Sequence, residues 1–168
     1  MCSSDLTNAD TSMPDMTGIT STGFGVSNAG ASDVTNKNAQ TYVGWQWQAG
    51  QGTTSSNTSG SITSTVSVNT TAGFSIVSYA SGTSGDKTVG HGLGVAPKFI
   101  ITKSRDSASY NWVIYHSSVI SNVKDFLTFT TGAIQNNGSN IWGSALPTSS
   151  VFGVTSGDRK STRLNSSH

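Results

Sequence analysis

The stretch GFSIVSYASGTSGDKTVGHGLGVAPKFIITKSRD, residues 73–106, decides the fold class. Phe74, Ile76 and Ser78 alternate with Ser75, Val77 and Tyr79, so both faces of an extended segment carry apolar groups. A period of two marks a β-strand, here one buried on two sides or packed near an edge. Residues 81–86 break the pattern with turn-forming Ser, Gly and Asp. Gly90, Gly92 and Gly94 recur at every second position ahead of Pro97, which predicts a tight corner with positive φ. Phe99, Ile100 and Ile101 then restart a buried strand that ends on Lys103, Arg105 and Asp106.

The same texture extends outward. The chain has 168 residues, enough for one domain with a real core. Only 10% of residues are charged, and Glu is absent. Ser, Thr, Asn and Gly fill the gap, yet Trp, Tyr, Phe, Ile and Val return in short alternating runs, which separates the chain from disordered sequence. A net charge of +1 gives no reason to expect nucleic acid or an anionic membrane as partner. No apolar run reaches the length of a transmembrane helix, so membrane insertion is not expected. No leading segment has the basic, apolar, small-residue order of a signal peptide.

Taken in order, residues 7–17 read as polar and patternless, and ITSTGFGV, residues 19–26, as a short strand. TYVGWQWQ, residues 41–48, is the clearest strand, with Val43, Trp45 and Trp47 on one face. Residues 51–60, rich in Gly, Ser and Thr, read as a flexible linker. Further strands are expected at 61–68, 112–116, 126–130 and 151–154, while 119–124 suits at most one helical turn. Short strands spaced by turn residues predict an all-β fold with little or no helix, an antiparallel β-sandwich of jelly-roll or lectin-like type. Its expected core is Trp45, Trp47, Phe74, Ile76, Phe99, Ile101, Trp112, Ile114, Phe129 and Phe152.

Five motifs carry a family resemblance: GFSIVSYASG, TVGHGLGVAPKFIITKSR, NWVIYH, ALPTSSVFGV and TYVGWQWQAG. Together they resemble a repeated β domain of tailed-bacteriophage virion proteins, found in tail-fibre-like and other structural chains of marine phages and viral metagenomes. The likeness covers residues 19–157. It implies a virion location at the tail or particle surface, other virion subunits as partners with a homotrimer among the arrangements, and host-surface glycan as a ligand for the loops.

The two ends differ in kind from this body. DRKSTRLNSSH, residues 158–168, holds three of the nine basic residues. It resembles a translated sequencing-library adapter, and MCSSDL, residues 1–6, resembles the opposite strand of the same adapter. The expected organisation is therefore adapter-derived sequence at 1–6 and 158–168, the end of a preceding repeat unit at 7–50, a linker at 51–60, and a truncated main β-sandwich at 61–157. Cys2 then lies outside the body, which offers no thiol chemistry, and six acidic residues balance six basic ones. An internal echo supports the repeat: TSTGFGV, residues 20–26, matches TSSVFGV, residues 148–154, at five of seven positions. On that reading the strands at 23–26 and 42–47 fill places in the second unit's sheet.

Chemistry-bearing residues are sparse. Gly90–Gly94 is similar to a phosphate-binding glycine loop, but such loops open a helix, and these glycines precede a proline and a strand. His91 and His116 lack a third ligand of zinc type and read as hydrogen-bonded structural residues, so no metal or cofactor is expected. No G-x-S-x-G elbow occurs, and Asp86, Asp106 and Asp125 sit beside turns or basic residues, so no catalytic pair is expected. Lys98, Lys103 and Arg105 read as a solvated strand end. Aromatic faces with neighbouring amides can hold a sugar. Tyr110 and Trp142, with Asn136, Asn137 and Asn140, are accordingly the candidate ligand contacts. The expected function is a non-enzymatic structural or adhesion module. The alternative is a carbohydrate-binding β-sandwich appended to a secreted or cell-surface enzyme.

Overall fold

The computed structural model describes residues 16–26, 36, 38–44, 46, 53–81, 84–106, 110–129, 131–136 and 138–156. The fold is all-β, with no helix among these residues and every strand pair antiparallel. The chain divides into two units, one within residues 1–46 and 103–112, the other within 47–102 and 113–168.

In the first unit, β1 (Met16–Ile19) and β2 (Phe24–Val26) form a two-stranded hairpin. The segment read as one strand at 19–26 is therefore a turn between two. Thr20 and Gly23 close it, with the Thr20 amide donating to the Gly23 carbonyl at 2.7 Å. Residues 41–44 of the expected TYVGWQWQ strand are in no strand, and Tyr42 and Val43 are exposed. Alternation supplies faces, but a strand also needs a ladder partner, and none of the described strands pairs with 41–44. Trp45 and Trp47 lie outside the described residues.

The second unit carries the remaining strands. β3 (Ser55–Asn57), β4 (Ser64–Asn69) and β5 (Phe74–Tyr79) form one sheet in that order. β6 (Gly85–Gly90) pairs with β11 (Val151–Ser156) in unbroken register, Val151 opposite Gly90 and Ser156 opposite Gly85. β7 (Phe99–Thr102), β8 (Val113–His116), β9 (Asp125–Thr128) and β10 (Thr131–Asn136) form the third sheet, ordered β10-β9-β8-β7. β2 pairs with β1 in a two-stranded sheet.

The expected linker at 51–60 contains β3 and a docked loop. The Ser61 amide donates to the Thr88 hydroxyl at 2.9 Å, the Thr88 amide to the Ser61 hydroxyl at 2.9 Å, and the Ile62 amide to the Thr88 carbonyl at 3.0 Å. Ile62 thus bridges Val89 in parallel on the edge of β6 away from β11. Composition hides this because Ser and Thr solvate a linker and equally well hydrogen-bond a backbone.

The core sits beside β8, whose Val113, Ile114 and Tyr115 are all buried. Val113 and Tyr115 pack with Ile120, Ile141 and Trp142, and Ile100, Val123, Phe126, Leu127 and Leu146 close around them. Ile114 and Phe152 are buried as expected, Trp112 is half-buried one residue before β8, and four of the expected core residues are exposed: Ile76, Phe99, Ile101 and Phe129. In β5 the covered phase is the opposite one. Val77 pairs with buried Val66, the Ser75 hydroxyl donates to the His91 carbonyl at 2.7 Å, and Tyr79 meets Phe152 edge-on at 6.0 Å. Ile76 therefore points away, 54% exposed. In β7, likewise, Ile100 packs against the core and Phe99 and Ile101 face out. Two-residue periodicity defines two faces without saying which one is covered.

Candidate functional site

The expected contact loop grows from the end of β10. Asn136 lies opposite Asp125 of β9, and its amide nitrogen donates to the Asp125 carboxylate at 2.6 Å. Its amide oxygen accepts from the Gly138 backbone at 2.9 Å, which bends the chain after the strand. Asn137 lies outside the described residues. Asn140 donates to the Asp86 carboxylate on β6 at 3.2 Å, and Thr155 on β11 donates to the other oxygen of Asp86 at 2.7 Å. Two carboxylates therefore hold the loop, one at each end.

Beneath it the chain turns inward. The Ile141 and Trp142 amides both donate to the Val123 carbonyl, at 2.8 and 3.1 Å. Trp142 is 1% exposed and stacks edge-on against Tyr115 at 5.5 Å. Its place as a ligand contact is corrected: the indole is core, and no ligand face of it reaches solvent. Burial also pushes the Tyr115 hydroxyl above its usual range. Tyr110 is exposed but belongs to the other unit, where its carbonyl accepts from the Lys103 ammonium at 2.7 Å. Of the expected contacts, then, the second unit pairs Asn136 with Asp125, and Asn140 with Asp86 beside Thr155.

Sequence reading passed over the two aspartates as solvated loop residues. Their signal was positional: each lies on a strand facing a polar partner, Asp86 opposite Thr155 and Asp125 opposite Asn136. The cluster offers amide, hydroxyl and carboxylate groups, a set that pairs with sugar hydroxyls because these both donate and accept.

A second polar centre lies at His91, 3% exposed. The Leu93 amide donates to its Nδ1 at 3.1 Å, which makes Nδ1 the acceptor and places the ring proton on Nε2, facing the Thr148 carbonyl at 3.2 Å. Its own amide donates to the Ser150 carbonyl at 3.3 Å. The ring is thus a neutral clasp between the end of β6 and the 148–150 turn, and burial lowers its pKa below the ordinary histidine value, opposed by the Thr148 bond. His116 accepts from the Ser118 amide at 3.2 Å and lies edge-on to Phe99 at 6.1 Å.

The glycine corner follows His91. Gly92 and Gly94 take φ of +75° and +74°, in the left-handed region. Gly90 instead ends β6, where a Cβ would overlap the Asn57 side-chain amide. The corner leads from β6 into β7 rather than into a helix.

Among the described residues no three His, Cys, Asp or Glu side chains gather to hold a metal ion, and no helix is long and apolar enough to cross a membrane. DUF7483, a domain of unknown function, matches residues 1–167. The chain belongs to that family. The DUF7483 match runs across both ends, so it does not mark the boundaries expected after residue 6 and before residue 158. No curated protein and no solved structure matches.

Proposed function

We propose that this DUF7483 chain is a non-enzymatic structural or adhesion module of a phage virion protein, one unit of a repeated tail-fibre-like array at the particle surface. The observation that carries the reading is a repeated local structure. Thr20–Val26 and Thr148–Val154 stand 128 residues apart and share five of seven residues, and each forms a threonine-closed turn leading into a strand. Repetition of a β unit is how fibres and adhesins gain length. The internal use of polar side chains fits the same role. Asn57, Asn69, Asn122 and Asn136 each accept from a backbone amide two or three residues ahead, so a neutral coat also builds the turns. Other virion subunits, in a homotrimer or a linear array, are the partners proposed, and host-surface glycan the loop ligand.

A long sequencing read of the source DNA across the codons for residues 7–157 tests this. A frame that runs into further GFSIVSY…GHGLGVAP units beside tail genes supports the virion array. A frame joined to a secretion signal and a catalytic domain overturns it in favour of the second reading, a carbohydrate-binding module appended to an enzyme. The Asp86–Asn140–Thr155 cluster is the feature that favours that second reading.

A further inference from the structure

The turn at Thr20 and the turn at Thr148 close with the same three hydrogen bonds. In both, the threonine amide donates to the carbonyl three residues on, at 2.7 Å to Gly23 and 2.9 Å to Val151. In both, the threonine hydroxyl donates to that same carbonyl, at 3.1 and 3.2 Å. In both, the amide two residues on donates to the hydroxyl, at 3.4 Å from Thr22 and 3.3 Å from Ser150. Each turn feeds a strand reading Phe-Gly-Val, Phe24–Val26 in one case and Phe152–Val154 in the other.

Their surroundings differ. Phe152 is 5% exposed, opposite Val89 on β6 and against Tyr79. Gly153 lies so close to the Trp142 carbonyl that a Cβ would overlap it. The Thr148 carbonyl receives the His91 ring proton. The β6 seat thus takes a strand with a turn threonine, a phenylalanine, a glycine after it, and a small apolar residue. Thr20, Phe24, Gly25 and Val26 supply all of these in the same order. Yet in its own hairpin Phe24 is 41% exposed, with its ring beside Gly44, and Val26 is exposed as well.

We infer that residues 20–26 are a docking strand for the β6 seat of a second copy of this domain, where they take the place that Thr148–Val154 fills within one copy. Because β11 already fills the seat within each copy, copies are then joined by strand exchange, Thr148–Val154 leaving as residues 20–26 enter, and the exchange is specific because the ladder fixes register and the Phe and Gly positions fix the side. The inference uses the two turns and the β6 seat, not the virion role, so it stands or falls apart from the gene neighbourhood.

The test uses the full chain. Gly153→Val places a branched side chain against the Trp142 carbonyl and evicts the native strand from its seat. Sedimentation should then show concentration-dependent dimers and larger species. Adding Gly25→Val should return the protein to monomer, because the docking strand carries the same obstruction. A folded Gly153→Val protein that stays monomeric, or a double variant that associates equally, overturns the inference. A second measurement covers the case in which Gly153→Val does not fold. Val154 lies opposite Lys87, so docking places Val26 there. Cys2→Ser, Val26→Cys and Lys87→Cys are combined in one chain, and light and heavy isotope forms are mixed and refolded under oxidation. Peptide mapping should show position 26 of one form disulfide-linked to position 87 of the other. Absence of the mixed-isotope link overturns the inference.

Discussion

The Trp142 indole Nε1 donates to the carbonyl oxygen of Asp125 at 2.9 Å, and this bond fixes an irregular segment to strand β9. The loop 138–142 lies in no strand, and this bond together with the two amides that share the Val123 carbonyl anchors its inner end. Removing the ring empties the middle of the main core cluster.

Trp142→Ala is therefore a stability mutation. It should cost about 3–5 kcal/mol, within the range for losing a large buried aromatic. Trp142→Phe keeps much of the volume but strands the Asp125 carbonyl, and should cost about 1–3 kcal/mol. Urea denaturation followed by circular dichroism measures both. A Trp142→Ala midpoint equal to that of the wild type would contradict the assignment of this residue to the core.

His91 makes stability depend on pH in a defined direction. Its folded pKa is lowered by burial, so the unfolded chain takes up the proton first as pH falls below the ordinary histidine value near 6.5. Stability is then present above that value and lost as pH falls towards the folded pKa, levelling once the folded ring also protonates. A protonated Nδ1 would also face the Leu93 amide donor to donor. Thermal midpoints should drop between neutral and mildly acidic pH, and His91→Gln should flatten the slope in that window. A wild-type midpoint rising on acidification across this range would contradict the clasp.

Close packing at Gly153 gives a steric prediction with a built-in control. A Cβ there overlaps the Trp142 carbonyl, which is backbone and cannot swing aside. Gly153→Ala should destabilise by about 1–3 kcal/mol, the usual cost of overpacking. Gly132 has open space around the same position. Gly132→Ala should fall within about 0.5 kcal/mol of wild type or stabilise slightly, since it mainly restricts the unfolded chain. Equal midpoints for the two variants in one denaturation series would remove the steric argument.

These cases show what was legible in the sequence. Alternation in 61–68, 74–79, 99–101, 112–116, 126–130 and 151–154 announced β4, β5, β7, β8, β9 and β11, and with them the fold class. It could not give the covered face, because Val77 and Ile76 are equally apolar and only the register against Val66 separates them. β6 was missed because Asp86, Lys87 and Thr88 interrupt its apolar pattern and glycines stand at both ends. Trp142 was misplaced for a related reason: an indole in a loop has no periodicity, so its burial rests on tertiary contacts. The site fared similarly, since Asn136 and Asn140 are at the surface loop but their aspartate partners are distant in sequence.

Ser64 illustrates how a Ser-rich chain builds an interior. Its hydroxyl is buried and donates to the Gly90 carbonyl at 2.8 Å, tying β4 to the end of β6. Ser64→Ala should cost about 1 kcal/mol, the net value of one hydrogen bond, while leaving that carbonyl less well satisfied. Exposed Ser56 on β3 is the comparison, and Ser56→Ala should change stability by less than about 0.5 kcal/mol. If both serines prove neutral, the β4–β6 tie contributes nothing to the fold.

The loop cluster separates the spacer reading from the glycan-binding one, provided the test avoids the core. Trp142 fails that condition, because its loss unfolds the loop whatever the loop binds. Asn140 meets it: the residue is half-buried and its side chain donates to the exposed Asp86 carboxylate. Asn140→Ala should shift stability by less than about 1 kcal/mol, as for other exposed polar pairs. Binding is read separately on an immobilised glycan panel. Saturable binding that falls at least about tenfold in Asn140→Ala, a difference of about 1.4 kcal/mol, would place sugar recognition on this cluster. A glycan bound equally by both proteins would move the contact elsewhere. With no glycan bound by either, the Asp86, Asn140 and Thr155 contacts remain a brace that holds the 138–142 loop against β6 and β11.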